Sequence, residues 1–256
     1  MKTFLKIISC ISILSLVFWT NSVSAAAVEL FSMSLYNDAN LLAYYRLEDL
    51  VDSEDSGTDY DLTNNNSVTF VAAKFNNGGQ GAATKSLSVG SAMGLIATSD
   101  VSYTFWVKLD TEISANFYQF LVHYWGTNTP IHMIRYDYNA GTRRINFYSG
   151  NYTGSYQHSI TMGTTDWYHL AMTRVGSTGA VRAYVNGVDV GGFTDANTDT
   201  NAAKFELLGQ GGINNVIGIM DDVAVFDRVL TATEISDIYN GVAAAATGEE
   251  YQIIFE

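Results

Sequence analysis

Short apolar runs with a two-residue period, separated by turn-forming residues, make up most of the 256-residue chain. In Leu30–Leu35, Phe31, Met33 and Leu35 fall on one face and two serines on the other, the pattern of a half-buried strand. Tyr103–Leu109, Phe117–Tyr124, Ile131–Tyr138, Arg144–Tyr148, Trp167–Arg174, Val181–Val185 and Ile217–Phe226 also read as strands. Asn186-Gly187, between Tyr184-Val185 and Val188, predicts a tight type I′ hairpin whose two central residues need positive φ. Gly176–Gly179 and Asn139-Ala140-Gly141 mark further turns. Many short strands at this spacing predict an all-β fold, a two-sheet antiparallel β-sandwich of the jelly-roll kind.

One short C-terminal helix is predicted over Ala232–Asn240. Thr231 can cap it, Glu234 can complete a capping box, Leu230 and Ile235 are placed as a hydrophobic staple, and Gly241 stops it. The helix is expected to cover one end of the sandwich. Residues 242–256 then read as a small-residue linker, Ala243–Ala246, and a candidate terminal strand, Tyr251–Phe255. That strand could pair with Leu30–Leu35 of its own chain or add to a neighbour's edge.

The N-terminus follows a different pattern. Lys2 and Lys6 flank the start of an apolar run, Ile7–Trp19, and Val23-Ser24-Ala25 ends in small residues, which predicts a secretory signal peptide over residues 1–25. The run is too short for a membrane span, and no transmembrane segment is expected in the mature chain. The only cysteine, Cys10, falls in this signal, so the domain over residues 26–241 needs a large core or a metal in place of a disulfide. Acidic residues number 26 against 13 basic ones, a net charge of −13, and two of the lysines lie in the signal. Such a chain repels phosphate backbones, which argues against nucleic acid as a partner.

Four stretches carry a family signature. They are Leu42-Ala43-Tyr44-Tyr45-Arg46-Leu47-Glu48 followed by Asp55-Ser56-Gly57; Tyr103-Thr104-Phe105-Trp106-Val107-Lys108; Trp167-Tyr168-His169-Leu170-Ala171 with Ala183-Tyr184-Val185-Asn186-Gly187; and the run Gly218–Leu230 with Glu234-Ile235. In this order they resemble the landmarks of laminin-G-like, concanavalin A-like jelly rolls, over about residues 40 to 241. The resemblance is specific for fold. It is less so for function, because this fold hosts lectins, carbohydrate modules, adhesive domains and enzymes.

Strand parity puts Asp221 on the face of Val223 and Val225, toward the core or its edge, where an unpaired carboxylate is costly; Asp222 should face the other way. The resemblance implies a structural Ca²⁺ between the opening strand, the Asp-Ser-Gly turn and the closing strand. It nominates Glu48, Asp55 and Asp221 as ligands, with carbonyls near Ser56-Gly57. The plainer alternative has Asp221 accepting backbone N–H bonds, with Asp49, Asp52 and Glu54 as solvated loop charges.

Aromatic residues supply the second chemistry. Tyr124, Trp125, Tyr136, Tyr138 and Tyr152 cluster on neighbouring strands and loops and are the candidate ligand-binding residues, since aromatic faces stack on sugar C–H surfaces. Trp106 and Trp167 are expected in the core. Catalytic signatures are missing: the four histidines lack close metal spacing, and no Glu-x-Asp-x-x-Glu strand, Gly-x-Ser-x-Gly elbow or His-Glu-x-x-His helix occurs. The chain therefore reads as no enzyme. It reads as a secreted, extracellular or cell-surface recognition module that binds a glycan or polysaccharide and is stabilised by calcium. The competing reading is a structural or adhesive surface subunit that contacts other surface proteins or itself. A glycoside hydrolase or lyase comes third.

Overall fold

The computed structural model describes residues 29–53, 59–90, 93–114, 117–126, 130–150, 154–196, 202–211 and 213–241. The signal segment, Asp55, Tyr152 and Tyr251–Phe255 lie outside the described residues.

Two 3₁₀ turns, Leu30–Ser32 and Ser34–Asn37, lead into β1 (Leu41–Tyr45). Then follow β2 (Thr63–Asn65), β3 (Thr69–Ala72), β4 (Asn77–Gly81), β5 (Ser86–Val89), β6 (Val101–Leu109), β7 (Phe117–Gly126) and β8 (Pro130–Asn139). After them come β9 (Thr142–Ser149), β10 (Gly154–Ser159), β11 (Tyr168–Val175), β12 (Ala180–Val185), β13 (Val188–Thr194), β14 (Ala202–Leu207), β15 (Gly218–Phe226) and α1 (Ala232–Asn240). They form two antiparallel sheets. The eight-stranded one runs β13-β12-β11-β6-β15-β4-β3, with β1 also on β15; the seven-stranded one runs β10-β9-β8-β7-β14-β5-β2.

The sheets pack face to face around one apolar core that includes Tyr103, Phe105, Leu170, Met172, Val223 and Val225 from the larger sheet. Ile134, Tyr136, Ile145, Phe147, Phe205 and Leu207 come from the smaller. Phe205 stacks between Tyr45 and Tyr103, with centroids 6.4 and 6.1 Å away. The predicted sandwich is therefore the observed fold, and so is the helix. Thr231 Oγ1 accepts the Glu234 N–H, Glu234 returns to the Thr231 N–H, and Gly241 closes the end at φ 66°.

The helix lies on the outer face of the eight-stranded sheet instead of at one end of the sandwich. Leu230, Ile235 and Ile238 pack with Leu30, Met33 and Leu35 over Tyr44, Ala171, Tyr184 and Ala224. This corrects the strand expected at Leu30–Leu35. A strand would send Leu30 and Leu35 to opposite faces, whereas the 3₁₀ turns let Leu30, Met33 and Leu35 all bury.

The parity expected around Asp221 is also corrected. Along one side of β15 the partner is β6; along the other it changes from β4 (Gly218–Met220) to β1 (Val223–Phe226). A bulge lies at that fork: Asp221 pairs with Trp106 and Ala224 with Thr104, so β15 has one residue more than β6 between these pairs. Asp222 takes the left-handed conformation, φ 52°. The bulge turns Asp221 onto the outer face with Ala224, away from Val223 and Val225.

Candidate functional site

The face of the seven-stranded sheet that turns away from the core carries most of the charge in the strands around it. Register defines its rows. Tyr118, Asp137 and Arg144 stand opposite one another on β7, β8 and β9; Phe120, Arg135, Asn146 and Gln157 form the next row, extending to β10. His123, Met133 and Tyr148 form a third, with Glu206 of β14 opposite His123. A bulge between Phe120 and Val122 keeps Phe120 and His123 on the same face despite their odd spacing.

At one end of this face a cleft of about 270 Å³ is lined by Phe117, Tyr118, Arg135, Asp137, Tyr138 and Asn139. Phe117 and Tyr118 are 42% and 37% exposed, unusual for rings of this size beside a charged floor. The Arg135 guanidinium lies 4.7 Å from the ring centroid of Tyr118 and 4.7 Å from that of Tyr148. Its Nη2 donates to the Tyr148 hydroxyl at 2.7 Å and to Asp137 Oδ2 at 3.2 Å. Asp137 also accepts Arg144 Nε at 2.9 Å and Asn146 Nδ2 at 2.5 Å, and Arg144 Nη1 reaches Gln157 Oε1 at 2.8 Å. On the rim, Arg143 sits 5.1 Å from the Tyr138 ring and pairs with Glu112 at 3.1 Å.

The other end of the face is built differently. Glu206, fully buried, accepts Lys204 Nζ at 2.7 Å and the Gly211 N–H at 3.0 Å, and lies 3.4 Å from His123 Nδ1. Burial alone would raise the Glu206 carboxyl, but the His123 and Lys204 hydrogen bonds reverse that and hold it low. Burial pushes His123 down, leaving it neutral. Trp125 is half-buried, with its ring 4.8 Å from His123.

Of the ligand candidates, Tyr138 lines the cleft and Trp125 shares the outer face. Tyr118 and Trp125 are seven positions apart along β7, roughly 23 Å at strand rise. Tyr124 and Tyr136 are corrections: both are fully buried between the sheets, with the Tyr124 hydroxyl on the Leu95 carbonyl at 2.7 Å and the Tyr136 hydroxyl accepting the Met162 N–H at 3.0 Å. Trp106 is buried as expected but under α1, 5.6 Å from Tyr239, and Trp167 is only half-buried. Reading the sequence missed Phe117, Tyr118, Arg135, Asp137 and Asn139. The signal was present: Arg135-x-Asp137 and Arg144-x-Asn146 put charged or polar side chains at alternate positions of largely apolar strands.

Two of the three carboxylates nominated for a metal, Glu48 and Asp221, bond to one segment, residues 73–77. Glu48 accepts the Asn77 N–H at 3.4 Å and Asn77 Nδ2 at 3.2 Å; Asp221 Oδ2 accepts the Phe75 N–H at 2.8 Å. Asp221 Oδ1 is buried with no hydrogen-bond partner among the described residues, and burial pushes the carboxyl up to about 9. Asp222 is buried on the same side, accepting the Tyr44 hydroxyl and the Leu30 N–H, and burial raises it to about 7. Asp52 is no solvated loop charge: it is buried and accepts the N–H groups of Tyr44 at 2.8 Å and Tyr60 at 3.2 Å. Among the described residues no three His, Cys, Asp or Glu side chains form a metal cluster, and Asp55 lies outside them.

Residues 77–236 match the profile of the Concanavalin A-like lectin/glucanases superfamily, and the chain belongs to that superfamily. No curated protein matches it. Domain 4 of AbnA, an extracellular GH43 arabinanase of Geobacillus stearothermophilus solved in complex with arabinotriose, is similar at TM-score 0.59 and 21% identity, covering 78% of this chain and 98% of that one. The binding domain of botulinum neurotoxin DC, in complex with SialylT, is similar at TM-score 0.60 and 15% identity, over 80% of this chain and 52% of that one. The same binding domain in complex with rat synaptotagmin II gives TM-score 0.61 at 14% identity, over 81% and 52%. The chain thus spans about half the neurotoxin binding domain. At these identities the likeness is one of fold. No helix among the described residues is long and apolar enough to cross a membrane.

Proposed function

We propose that this protein is a secreted, non-catalytic carbohydrate-recognition module whose ligand site is the cleft at Tyr118 and Arg135. The single observation that carries this reading is the combination of exposed rings with a fixed polar pair: the exposed Phe117 and Tyr118 and the half-buried Tyr138 border the cleft, hydrogen-bonded Arg135 and Asp137 floor it, and Asn139 completes the lining. Rings stack on the C–H face of a sugar while a few placed polar groups set its orientation. The complexes of similar fold with arabinotriose and SialylT support the same class of ligand. Binding without catalysis fits the carboxylates of this face. Asp137 and Glu206 stand in different rows on opposite sides of β7, far from the roughly 5–5.5 Å separation of a retaining glycosidase pair. A glycan array, followed by calorimetry with Tyr118→Ala, tests the assignment. Binding by the wild type that the variant loses supports it; an array blank with and without calcium removes it and moves the protein-contact reading ahead.

Calcium belongs to the same proposal as a structural ion. Glu48 and Asp221 converge on residues 73–77, and a hard cation would satisfy the orphaned Asp221 Oδ1 and neutralise a buried carboxylate. Asp55 would be the third carboxylate. Heat of binding after EDTA treatment, with a higher Tm in millimolar calcium, is the expected result; no heat and an unchanged Tm would end this part.

A further inference from the structure

We propose that the cleft at Arg135 selects an acidic sugar, one carrying a ring carboxylate of the uronic-acid type, over its neutral counterparts; this rests on the carbohydrate reading above. The first observation is where the positive charge lies. Three of the chain's arginines, Arg135, Arg143 and Arg144, fall on the β8–β9 hairpin against one acid, Asp137, in a protein of net charge −13. The hairpin is cationic in an anionic molecule. Glu112 offsets Arg143 at 3.1 Å, which leaves Arg135 and Arg144 against Asp137; acids farther away than the Debye length, about 8 Å at physiological salt, are largely screened from a ligand in the cleft.

The second observation is what Asp137 is already doing. In neutral-sugar sites a carboxylate accepts hydrogen bonds from hydroxyl groups. Here Asp137 receives Arg135, Arg144 and Asn146, leaving about one of its roughly four acceptor positions. Its charge is spent on two guanidinium groups, so the cluster as a whole offers donors.

The third is the preparation of Arg135. Two tyrosine rings and the Tyr148 hydroxyl hold its guanidinium flat, so little side-chain entropy is lost on binding. Nη2 is taken by Tyr148 and Asp137 and Nε is buried, so Nη1 is the donor that Arg135 offers a carboxylate, in a charge-assisted hydrogen bond. The Arg135 side chain is 19% exposed and lines the cleft, whose volume lies just below the usual range for small-molecule sites and suits a single sugar unit.

The experiment is calorimetry of the full chain against oligogalacturonate, oligoglucuronate and oligomannuronate, each compared with its own methyl ester, plus a sulfated neutral oligosaccharide. Esterification removes the charge and leaves the ring. At least one free acid should bind ten-fold or more tightly than its ester. Raising NaCl from 50 to 300 mM should narrow the gap, and Arg135→Gln should abolish it while Arg135→Lys retains part. Arg143→Gln, on the rim, should narrow the gap less and guards against a folding defect in the first variant. Equal binding of acid and ester overturns the acidic-sugar inference and leaves the module reading standing. Tighter binding of the sulfated probe overturns the carboxylate assignment. Binding of no saccharide at all overturns both.

Discussion

Asp221 stands directly opposite Trp106 across β15 and β6, on the face of the larger sheet that turns away from the core. The bulge at Asp222 produces this relationship, and its hold on the N-terminal segment makes it testable. Asp222 combines a left-handed backbone with a buried carboxylate that the Tyr44 hydroxyl and the Leu30 N–H both reach. Asn tolerates that backbone and keeps an acceptor; Val does neither. Asp222→Asn should stay within about 1 kcal/mol of wild type in urea unfolding, and Asp222→Val should lose about 2–4 kcal/mol. Equal losses in the two variants would deny the bulge its role.

Trp106 and Trp125 should part company. Trp106 is buried between β6 and Tyr239 of α1, so Trp106→Ala leaves a large cavity and should cost roughly 3–5 kcal/mol. Trp125 is half-buried at the far end of the outer face. Trp125→Ala should fold, bind single sugars at the cleft as before, and lose affinity only for oligosaccharides long enough to run along β7. Thermal melts and calorimetry with ligands of increasing length check both statements.

The Tyr118 ring is an exposed wall of the cleft and one of the two rings that hold Arg135. Removing it should weaken glycan binding by on the order of 1–3 kcal/mol, by analogy with bases stacked on aromatic side chains. Tyr118→Phe should keep most of the affinity. The Tm of both variants should remain near the wild-type value, since the ring is only partly covered.

Stability should fall in acid through two buried histidines. Burial pushes both His132 and His169 down to about 3, and among the described residues the rings bond to Tyr103 and to Thr104 respectively. In the unfolded chain they titrate near 6.5. Their folded-state values are depressed, so the contribution is complete above about pH 6.5 and is lost as pH falls from there toward 3. Each histidine withdraws up to about 1.4 kcal/mol per pH unit in that window. His132→Gln should give a shallower loss of stability between pH 6.5 and 4 than wild type. An identical slope would mean that His132 does not titrate there.

The amino-acid sequence by itself determined whatever rests on neighbours in the chain. The helix Ala232–Asn240 follows from Thr231, Glu234 and Gly241, which satisfy its end groups locally, and Asn186-Gly187 adopts its turn at φ 50° and 76° because both residues tolerate that backbone. Alternation in long segments such as Tyr103–Leu109 marked the sandwich strands in the same way. Only the tertiary structure decided which residues face where. β4, Asn77-Gly78-Gly79-Gln80-Gly81, has no strand signal; a Cβ at Gly78 would lie 2.7 Å from the Met220 carbonyl and at Gly81 2.4 Å from that of Val216, so packing against β15 and the residues just before it is what demands glycine. The bulges at Leu121 and Asp222 each add one residue and reverse the faces beyond them, a consequence of which strands pair and not of any local preference. Tyr124 and Tyr136 look the same in sequence as Tyr118, yet the pairing of β7 with β8 sends the first two inward to the Leu95 carbonyl and the Met162 N–H and the third outward to Arg135. Face and partner are properties of long-range register, which a two-residue period read along one strand does not contain.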